Sequence, residues 1–250
     1  MPALSYFFPA HNEAANLEGM VAEALETLPA LAQVFEIIIV DDGSKDATPA
    51  IADALAAAHP SVRAVHHPTN RGYGAALRSG FAAARYDLLA FTDGDRQFKV
   101  ADIGRLIDRL DAGSADAVVG FRIQRADPLV RTVYARLYRL ANRIFFGLKV
   151  RDVDCACKLF KRSALDGVSV ESGGAFFSAE LLIKLSARGR RIDEVGVAHY
   201  PRTAGSPTGA KPAVVFRAAR DFWALRLRLW AAPRKALARG MPILGGAADH

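Results

Sequence analysis

Short apolar runs of strand length alternate with segments of helical periodicity along the first half of the chain. This alternation constrains the fold more than any other feature. The run at 35–40 lacks any polar–apolar alternation, which is typical of a strand buried on both faces. Strands that alternate with helices through short connections form a parallel sheet covered by helices. The apolar runs that predict this α/β, Rossmann-like, mostly parallel sheet lie at 4–8, 35–40, 62–66, 87–92 and 116–121.

The remaining periodic segments predict one domain with a helical C-terminal extension. A chain of 250 residues is long enough for one large core, and no repeat or low-complexity linker divides it. We therefore expect a single domain at 1–212, followed by a basic amphipathic helix and tail at 213–250. Helices are predicted around 17–28, 48–59, 70–85, 103–110, 132–146, 179–188 and 214–237, and further strands at 153–161 and 192–199.

Two carboxylates follow the apolar run at 87–92. Asp93 and Asp95 flank Gly94, which allows a tight turn, and Gln97 adds a neutral oxygen two residues later. Paired carboxylates repel each other unless a cation lies between them, and oxygen ligands with open positions suit Mg²⁺ or Mn²⁺ that also binds a diphosphate. The alternative is a solvated acidic turn without function.

Polar clusters follow three of the predicted strands. Asn12 and Glu13 come after the first strand, Asp41 and Asp42 after the second, and the Asp93 motif after a later one. Ligands of such sheets bind beyond the carboxyl ends of the strands. The convergence of these clusters on one edge predicts a binding site, and three unrelated polar loops are the alternative.

The charge of the chain predicts an anionic partner. The net charge is +7 and the pI about 9.6, which suit a nucleotide, a nucleic acid or a membrane surface. Six of the arginines lie between 122 and 143, and the tail mixes arginines with Trp223, Trp230 and several leucines. Such amphipathic basic helices are typical of elements that lie at a membrane interface, whereas a solvated or domain-packed helix is the alternative.

Several features indicate where the protein acts. No apolar run approaches the length of about 20 residues that spans a bilayer, and no signal peptide is recognisable. Cys155 and Cys157 are too close for an ordinary structural disulfide and too few for a zinc site. We expect a cytoplasmic protein that lies peripherally at the inner face of the membrane, where an integral membrane protein is a possible further partner.

A set of short motifs gives the chain a family resemblance. It resembles the family 2 glycosyltransferases, which have the GT-A fold, and within them the dolichol-phosphate mannosyltransferase or polyprenyl-phosphate glycosyltransferase branch. The resemblance covers about residues 4–206. The motifs are PAHNE at 9–13, VDDGSKD at 40–46, NRGYG at 70–74, DGDRQF at 93–98, GFR at 120–122, DVDCACKLF at 152–160 and HYPRTAGS at 199–206.

The resemblance implies roles for individual residues. It implies coordination of Mg²⁺ or Mn²⁺ by Asp93, Asp95 and Gln97. Two positions depart from the family pattern, because His11 replaces a usual tyrosine and Lys99 replaces a frequent acid. Contacts to the donor nucleotide sugar are implied for Pro9, Asn12, Glu13, Asp41, Asp42, Arg71 and Gly72.

The reaction that the resemblance implies is an inverting transfer of a hexose from GDP-mannose or a UDP-sugar to a polyprenyl or dolichyl phosphate. An ionised phosphate needs no general base, so Asp152 or Asp154 would position groups, whereas a sugar hydroxyl acceptor would make one of them a base. Guanidinium groups bind phosphate bidentately, which suggests Arg122 and Arg131 as the acceptor clamp. Arg202 is expected to close over the donor phosphates.

Other classes of function fit the sequence less well. No G-x-G-x-x-G follows a strand, which argues against a dehydrogenase. A phosphatase of the haloacid-dehalogenase type would not be expected to carry Arg96 or to have its first motif as late as Asp93. A nucleic-acid-binding protein would show a recognised motif. A catalytically inactive nucleotide-sugar-binding adaptor at the membrane, and a transferase that acts on a sugar hydroxyl, remain the alternatives.

Overall fold

The predicted mostly parallel sheet is confirmed in a computed structural model, which describes residues 1–123, 129–202, 212–233 and 241–244. Side chains at 129–134 and 241–242 lie outside this description. The strands are β1 (Ala3–Ala10), β2 (Val34–Asp41), β3 (Val62–His66), β4 (Leu88–Phe91), β5 (Ala117–Arg122), β6 (Lys158–Lys161), β7 (Ser169–Val170), β8 (Ile192–Val197) and β9 (Met241–Pro242). Seven of them form one sheet in the order β3-β2-β1-β4-β6-β5-β8, and β7 pairs with β9.

Helices pack against this sheet. Pro49 stands in the first turn of the second helix, where its missing N–H costs nothing. A 3-10 turn at Leu28–Ala30 closes the first helix. The α-helices of the described residues are α1 (Ala14–Thr27), α2 (Thr48–Ala58), α3 (Tyr73–Ala83), α4 (Asp102–Ala112), α5 (Leu129–Phe146), α6 (Arg162–Leu165), α7 (Phe177–Ala187) and α8 (Pro212–Ala231).

The core lies under the centre of the sheet. Phe81 of α3 meets Phe7 of β1 edge-on with ring centroids 4.9 Å apart, and it meets Phe160 of β6 at 5.6 Å. Gly80 makes this approach possible, since a Cβ there would lie 2.2 Å from the Phe7 ring. Full burial of each such ring contributes about 1.5–3 kcal/mol. The sheet therefore holds the carboxyl ends of β1, β2 and β4 on a rigid base.

The strand predicted at 153–161 is shorter than expected. Only Lys158–Lys161 pairs with the sheet, and it runs antiparallel to both β4 and β5. The residues before β6 form a turn, in which Cys155 N–H donates to the Asp152 carbonyl at 3.2 Å. Gly120 N–H of β5 donates to the Cys157 carbonyl after this turn. This turn leaves Asp152 and Asp154 in a loop near the end of β4.

The predicted C-terminal helix is present as α8, and it packs on the domain through one stripe only. Phe222 and Leu225 are buried, and the Phe222 ring lies 4.9 Å from that of Phe146 in α5. The helix ends at Ala231, before Pro233, rather than at 237 as predicted, and residues 234–240 lie outside the description. Among the described helices, none has the length and apolarity that crossing a bilayer would require.

Candidate active site

The loops after β1 and β2 interlock at the carboxyl edge of the sheet. Asn12 adopts a left-handed backbone with φ 56°, which an asparagine tolerates better than most residues. Its N–H donates to Ser44 Oγ at 2.9 Å, and its Oδ1 accepts from Lys45 N–H at 2.8 Å. Glu13 N–H donates to Thr48 Oγ1 at 2.9 Å. Two of the polar clusters predicted to converge therefore share one hydrogen-bond network.

Asp41 is held in its ionised form at the end of β2. Burial opposes ionisation, but hydrogen bonds from Ser44 and His66 outweigh it and hold the pKa of Asp41 below its usual value. His66 Nδ1 lies 3.0 Å from Asp41 Oδ2, and its Nε2 lies 3.0 Å from Asp53. The register of the parallel pair places Asp41 directly opposite His66.

Asp42 organises the loop that leads into α3. The carboxylate is buried, and it accepts from the backbone N–H groups of Arg71 and Gly72, both at 2.8 Å. His67 Nδ1 lies 2.7 Å from Asp42 Oδ1, so Nδ1 carries a proton, because an ionised carboxylate only accepts. Ser79 Oγ lies 2.8 Å from the other ring nitrogen. Asp42 thus fixes the Arg71–Gly72 backbone.

Gly72 is required at that position by its geometry. Its φ of +95° is a conformation that side chains rarely adopt, and a Cβ would lie 2.9 Å from the Gly173 carbonyl oxygen. Gly74 N–H donates to the same carbonyl at 3.0 Å. The loop at 71–74 is therefore packed directly against the loop before α7.

Asp93 and Asp95 lie together just beyond β4. Burial and the neighbouring charge of Asp95 raise the pKa of Asp93 to about 6. Tyr73 Oη donates to Asp93 Oδ1 at 2.9 Å, and Asp95 Oδ1 accepts from Gln97 N–H at 3.1 Å. Lys158 is fully buried nearby, with its ammonium 5.4 Å from the Phe91 ring centroid. The raised pKa shows that the two carboxylates still repel each other despite the positive charges around them.

This donor set fits a divalent cation. The raised pKa of Asp93 falls when a cation binds beside it, so the repulsion between the Asp93 and Asp95 carboxylates favours such binding. In the described part of the chain no group of three acidic, histidine or cysteine side chains is placed to hold a metal ion. A Mg²⁺-type ion is commonly held by one or two carboxylates together with substrate phosphates, which matches a two-carboxylate site.

A guanidinium group stands beside these carboxylates. Arg202 donates to Asp95 Oδ2 at 2.5 Å and lies 3.6 Å from Glu13 Oε1. The segment that carries it is tied down at Gln97, whose carbonyl accepts from Tyr200 N–H at 2.9 Å and whose Nε2 donates to the Tyr200 carbonyl at 3.1 Å. Burial is the main cause that raises the pKa of the neighbouring Glu13. Through its contacts to Asp95 and Glu13, Arg202 supplies positive charge at the place where a cation is expected.

Arg122 makes a bidentate ion pair with Asp152. Its Nε and NH2 groups lie 2.7 and 2.8 Å from the two carboxylate oxygens, and both side chains are largely buried. Burial opposes protonation, yet the Asp152 carboxylate keeps the pKa of Arg122 above its ordinary value. Asp154 is exposed in the same loop. The side chain of Arg131, the other predicted phosphate ligand, lies outside the described residues.

The sequence prediction missed several groups at this edge. His66 is the last residue of β3 and His67 follows it, and only the parallel pairing of β3 with β2 brings them to Asp41 and Asp42. Tyr73 lies within a recognised motif, but its bond to Asp93 spans 20 residues. Lys158 lies in a predicted strand, and the sequence pattern indicates no role for it. Two adjacent histidines at the end of a predicted strand were the available signal for the first pair.

Comparison with known proteins identifies the family. The sequence model of glycosyl transferase family 2 matches residues 5–168, and the chain belongs to this family. It is 30% identical over 209 residues to polyprenol monophosphomannose synthase of Mycolicibacterium smegmatis, covering 79% of this chain and 77% of that protein. It is 35% identical over 207 residues to glycosyltransferase AglD of Haloferax volcanii. That match covers 80% of this chain but spans only 33% of AglD.

Other relatives and solved structures agree with this family and fold. The chain is 33% identical over 205 residues to undecaprenyl-phosphate 4-deoxy-4-formamido-L-arabinose transferase of Pseudomonas aeruginosa, covering 81% of this chain and 59% of that protein. Glucosyl-3-phosphoglycerate synthase of Mycobacterium tuberculosis, crystallised with Mn²⁺, UDP and phosphoglyceric acid, superposes with a TM-score of 0.69 at 22% identity. The superposition covers 89% of this chain and 78% of that structure. The GT-A fold expected from the sequence is thereby confirmed.

Proposed function

We propose that the protein transfers a hexose from a nucleotide diphosphate sugar to a polyprenyl phosphate, with inversion at the anomeric carbon. The observation that carries the proposal is the Asp93–Asp95 pair beyond β4, bordered by the interlocked loops of β1 and β2. The relatives named for polyprenol phosphate and undecaprenyl phosphate substrates support the acceptor class. We propose residues 1–212 as the catalytic domain and 213–250 as its C-terminal helix and tail.

The nucleotide would bind at the edge formed by β1, β2 and the 71–74 loop. Asp41 is ionised, and it would accept a further hydrogen bond from a base or ribose beside those that it receives from Ser44 and His66. Asp42 acts by holding the Arg71 and Gly72 backbone in place, because its oxygens are already used by those N–H groups and His67. We propose donor contacts also for Pro9, Asn12 and Glu13.

Asp93 and Asp95 would hold Mg²⁺ or Mn²⁺, with Gln97 next to them. When bound, such an ion stabilises the negative charge that develops on the departing nucleoside diphosphate. Tyr73 orients Asp93 through its hydroxyl group. Arg202 would leave Asp95 and bind the donor phosphates, since its guanidinium group already lies at this edge of the sheet. The inverted product follows from a single displacement.

An acceptor phosphate is largely ionised near neutral pH and is itself the nucleophile. No group of the protein then has to remove a proton, so Asp152 and Asp154 would position the acceptor loop. Arg122 could bind a phosphate only after it releases Asp152. In the observed ion pair, Arg122 instead holds the loop that carries Asp152. Arg131 remains our proposal for a direct phosphate contact.

The two basic helices support action at a membrane surface. The α8 side chains of Phe216, Leu227 and Trp230 are 75%, 60% and 77% exposed, and Ile144 of α5 is 66% exposed. Trp223 contacts Phe145 of α5 with ring centroids 5.0 Å apart, so the two helices present one apolar face with arginines beside it. Such a face binds an anionic lipid surface. We propose a peripheral location at the cytoplasmic leaflet, with or without an integral partner, and no nucleic-acid ligand.

A thermal-shift panel of nucleotides tests the donor half of the proposal. The full chain is melted with UDP, GDP and their sugars, each with and without Mn²⁺. The correct nucleotide raises the melting temperature strongly and only with the metal, because ligands stabilise by binding the folded state. Asp93→Asn removes that metal-dependent shift. Equal shifts with EDTA present would contradict the proposed role of Asp93 and Asp95.

A further inference from the structure

Lys158 carries a buried ammonium group to which no carboxylate is directly bound. The residue is 1% exposed. Its Nζ donates to the Cys155 carbonyl and lies 5.4 Å from the centroid of the Phe91 ring. Among the described residues, no carboxylate accepts a hydrogen bond from it, and the acidic groups around it act on its charge only through space.

The neighbouring thiols do not supply a negative charge either. Cys155 and Cys157 are fully buried. Burial raises the pKa of the Cys155 thiol to about 12 and also raises the pKa of Cys157, so both thiols stay protonated at neutral pH. Burying a charge without a directly bound counter-ion destabilises a fold. Lys158 is therefore a costly residue for the fold, which points to a role in the site.

The position of Lys158 in the sheet places it next to that site. It is the first residue of β6, which lies between β4 and β5 in the sheet. It stands opposite Phe91 of β4 and Val119 of β5. Asp93 follows Phe91 by two residues, and β5 ends at Arg122. Lys158 thus lies where the strands that lead to the proposed metal pair and to the acceptor loop come together.

The charge of Lys158 acts on the carboxylates of both segments. Burial lowers the pKa of Lys158, and the negative charges of Asp154, Asp152 and Asp93 counteract this effect. Burial and the charge of Asp95 raise the pKa of Asp93, and the positive charge of Lys158 counteracts that rise. A positive charge that reaches these carboxylates also repels a divalent cation bound to them, and it attracts a diphosphate bound to that cation.

We propose that Lys158 is a positioning residue whose buried positive charge weakens binding of the metal ion alone and strengthens binding of the anionic donor to the metal-loaded site. It acts through Asp93 and touches neither the donor nor the acceptor. The charge thereby favours occupation of the site by metal and donor together over occupation by metal alone. The inference rests on the proposed function, because it deepens the role of the Asp93–Asp95 pair described there.

Two substitutions separate the charge of Lys158 from its hydrogen bond. Lys158→Gln removes the charge but keeps a donor for the Cys155 carbonyl, whereas Lys158→Met removes both. Lys161→Gln is the matched control, since Lys161 is the last residue of the same strand and stands opposite Leu88, at the far end of β4. Circular dichroism checks that each variant is folded.

Titration calorimetry on the full chain measures binding of Mn²⁺ alone, and then of UDP and GDP with Mn²⁺ present. The titrations are run at pH 8, so that protons compete little with the metal. Both Lys158 variants should bind Mn²⁺ at least about threefold more tightly than the wild type, and the preferred nucleotide at least about threefold more weakly. Lys161→Gln should stay within about twofold of the wild type in both titrations.

The opposite signs of the two shifts distinguish the charge from a structural role, because damage to the site would weaken metal and nucleotide alike. Unchanged or weaker Mn²⁺ binding in both Lys158 variants would overturn the inference. Shifts in Lys158→Met alone would overturn it too, since only the hydrogen bond would then matter. Loss of the fold in both variants would show that Lys158 serves the fold, which also contradicts the inference.

A parallel assay separates this inference from the proposed function. Transfer to undecaprenyl phosphate by the wild type is measured with the sugar of the preferred nucleotide. If transfer proceeds but the opposed shifts are missing, the role of Lys158 is refuted and the proposed function stands. If the opposed shifts appear without any transfer, the acceptor assignment is refuted, while the effect of Lys158 on metal and nucleotide stands.

Discussion

Asp42→Asn is the substitution whose cost the structure defines best. The carboxylate accepts from His67 Nδ1 and Arg71 N–H at Oδ1 and from Gly72 N–H at Oδ2. An asparagine keeps only one acceptor oxygen, so its NH₂ group faces at least one of these buried donors. Hydrogen bonds to a charged group contribute about 1.5–3 kcal/mol each, and an unsatisfied donor adds a further cost. We expect a loss of about 2–4 kcal/mol in the free energy of unfolding.

The same substitution should lower the affinity for the donor nucleotide, because the 71–74 loop loses the carboxylate that fixes its backbone. Urea unfolding followed by circular dichroism measures the stability, and calorimetry measures nucleotide affinity. Asp53→Asn is the matched control, since Asp53 also accepts from a histidine but its side chain is 71% exposed. Exposed ion pairs contribute at most about 1 kcal/mol, so this control should change little. Similar stability losses in the two variants would refute the organising role of Asp42.

Three further expectations follow from the structure. Burial opposes the protonation of His66, but its carboxylate partners raise its pKa above the usual value. The charged ring therefore stabilises the fold below about pH 6.5, and this stabilisation is lost as the pH rises through the folded pKa. His66→Asn should remove this pH dependence of the free energy of unfolding, which is less than about 1 kcal/mol and is measured by urea unfolding at several pH values. Asp154→Asn should retain transfer to a phosphate acceptor, and a loss as complete as that of an Asp93 variant would indicate a hydroxyl acceptor. Leu227→Glu with Trp230→Glu should abolish flotation with anionic vesicles, while Val34→Glu, at an exposed apolar site on β2, should float like the wild type.

The parallel part of the fold follows from the sequence because each strand is an apolar run bounded by turn residues. The runs at 35–40 and 87–92 became β2 and β4 almost without change. Strand direction is not encoded in such runs, so the antiparallel course of β6 was not predicted. The two-residue strands β7 and β9 carry too few residues to show a pattern.

The candidate site was predictable where its residues are neighbours in sequence or directly follow parallel strands. Asp93 and Asp95 lie in one turn, and the loops of β1 and β2 meet because parallel strands end at the same edge. The individual side-chain pairs that join other segments were not predictable. Arg122 and Asp152 are separated by 30 positions, and each has the charge of an ordinary surface residue until both are buried together.

The most direct measurement supplies the full chain with a divalent cation, the nucleotide sugar selected by the thermal-shift panel, and undecaprenyl phosphate in detergent. Mass spectrometry and NMR then identify the product and its anomeric configuration. The account predicts a hexosyl phospholipid with inverted configuration, formed only with the metal and absent with Asp93→Asn. Metal-independent formation, or transfer only to sugar hydroxyl groups while undecaprenyl phosphate stays unmodified, would contradict it.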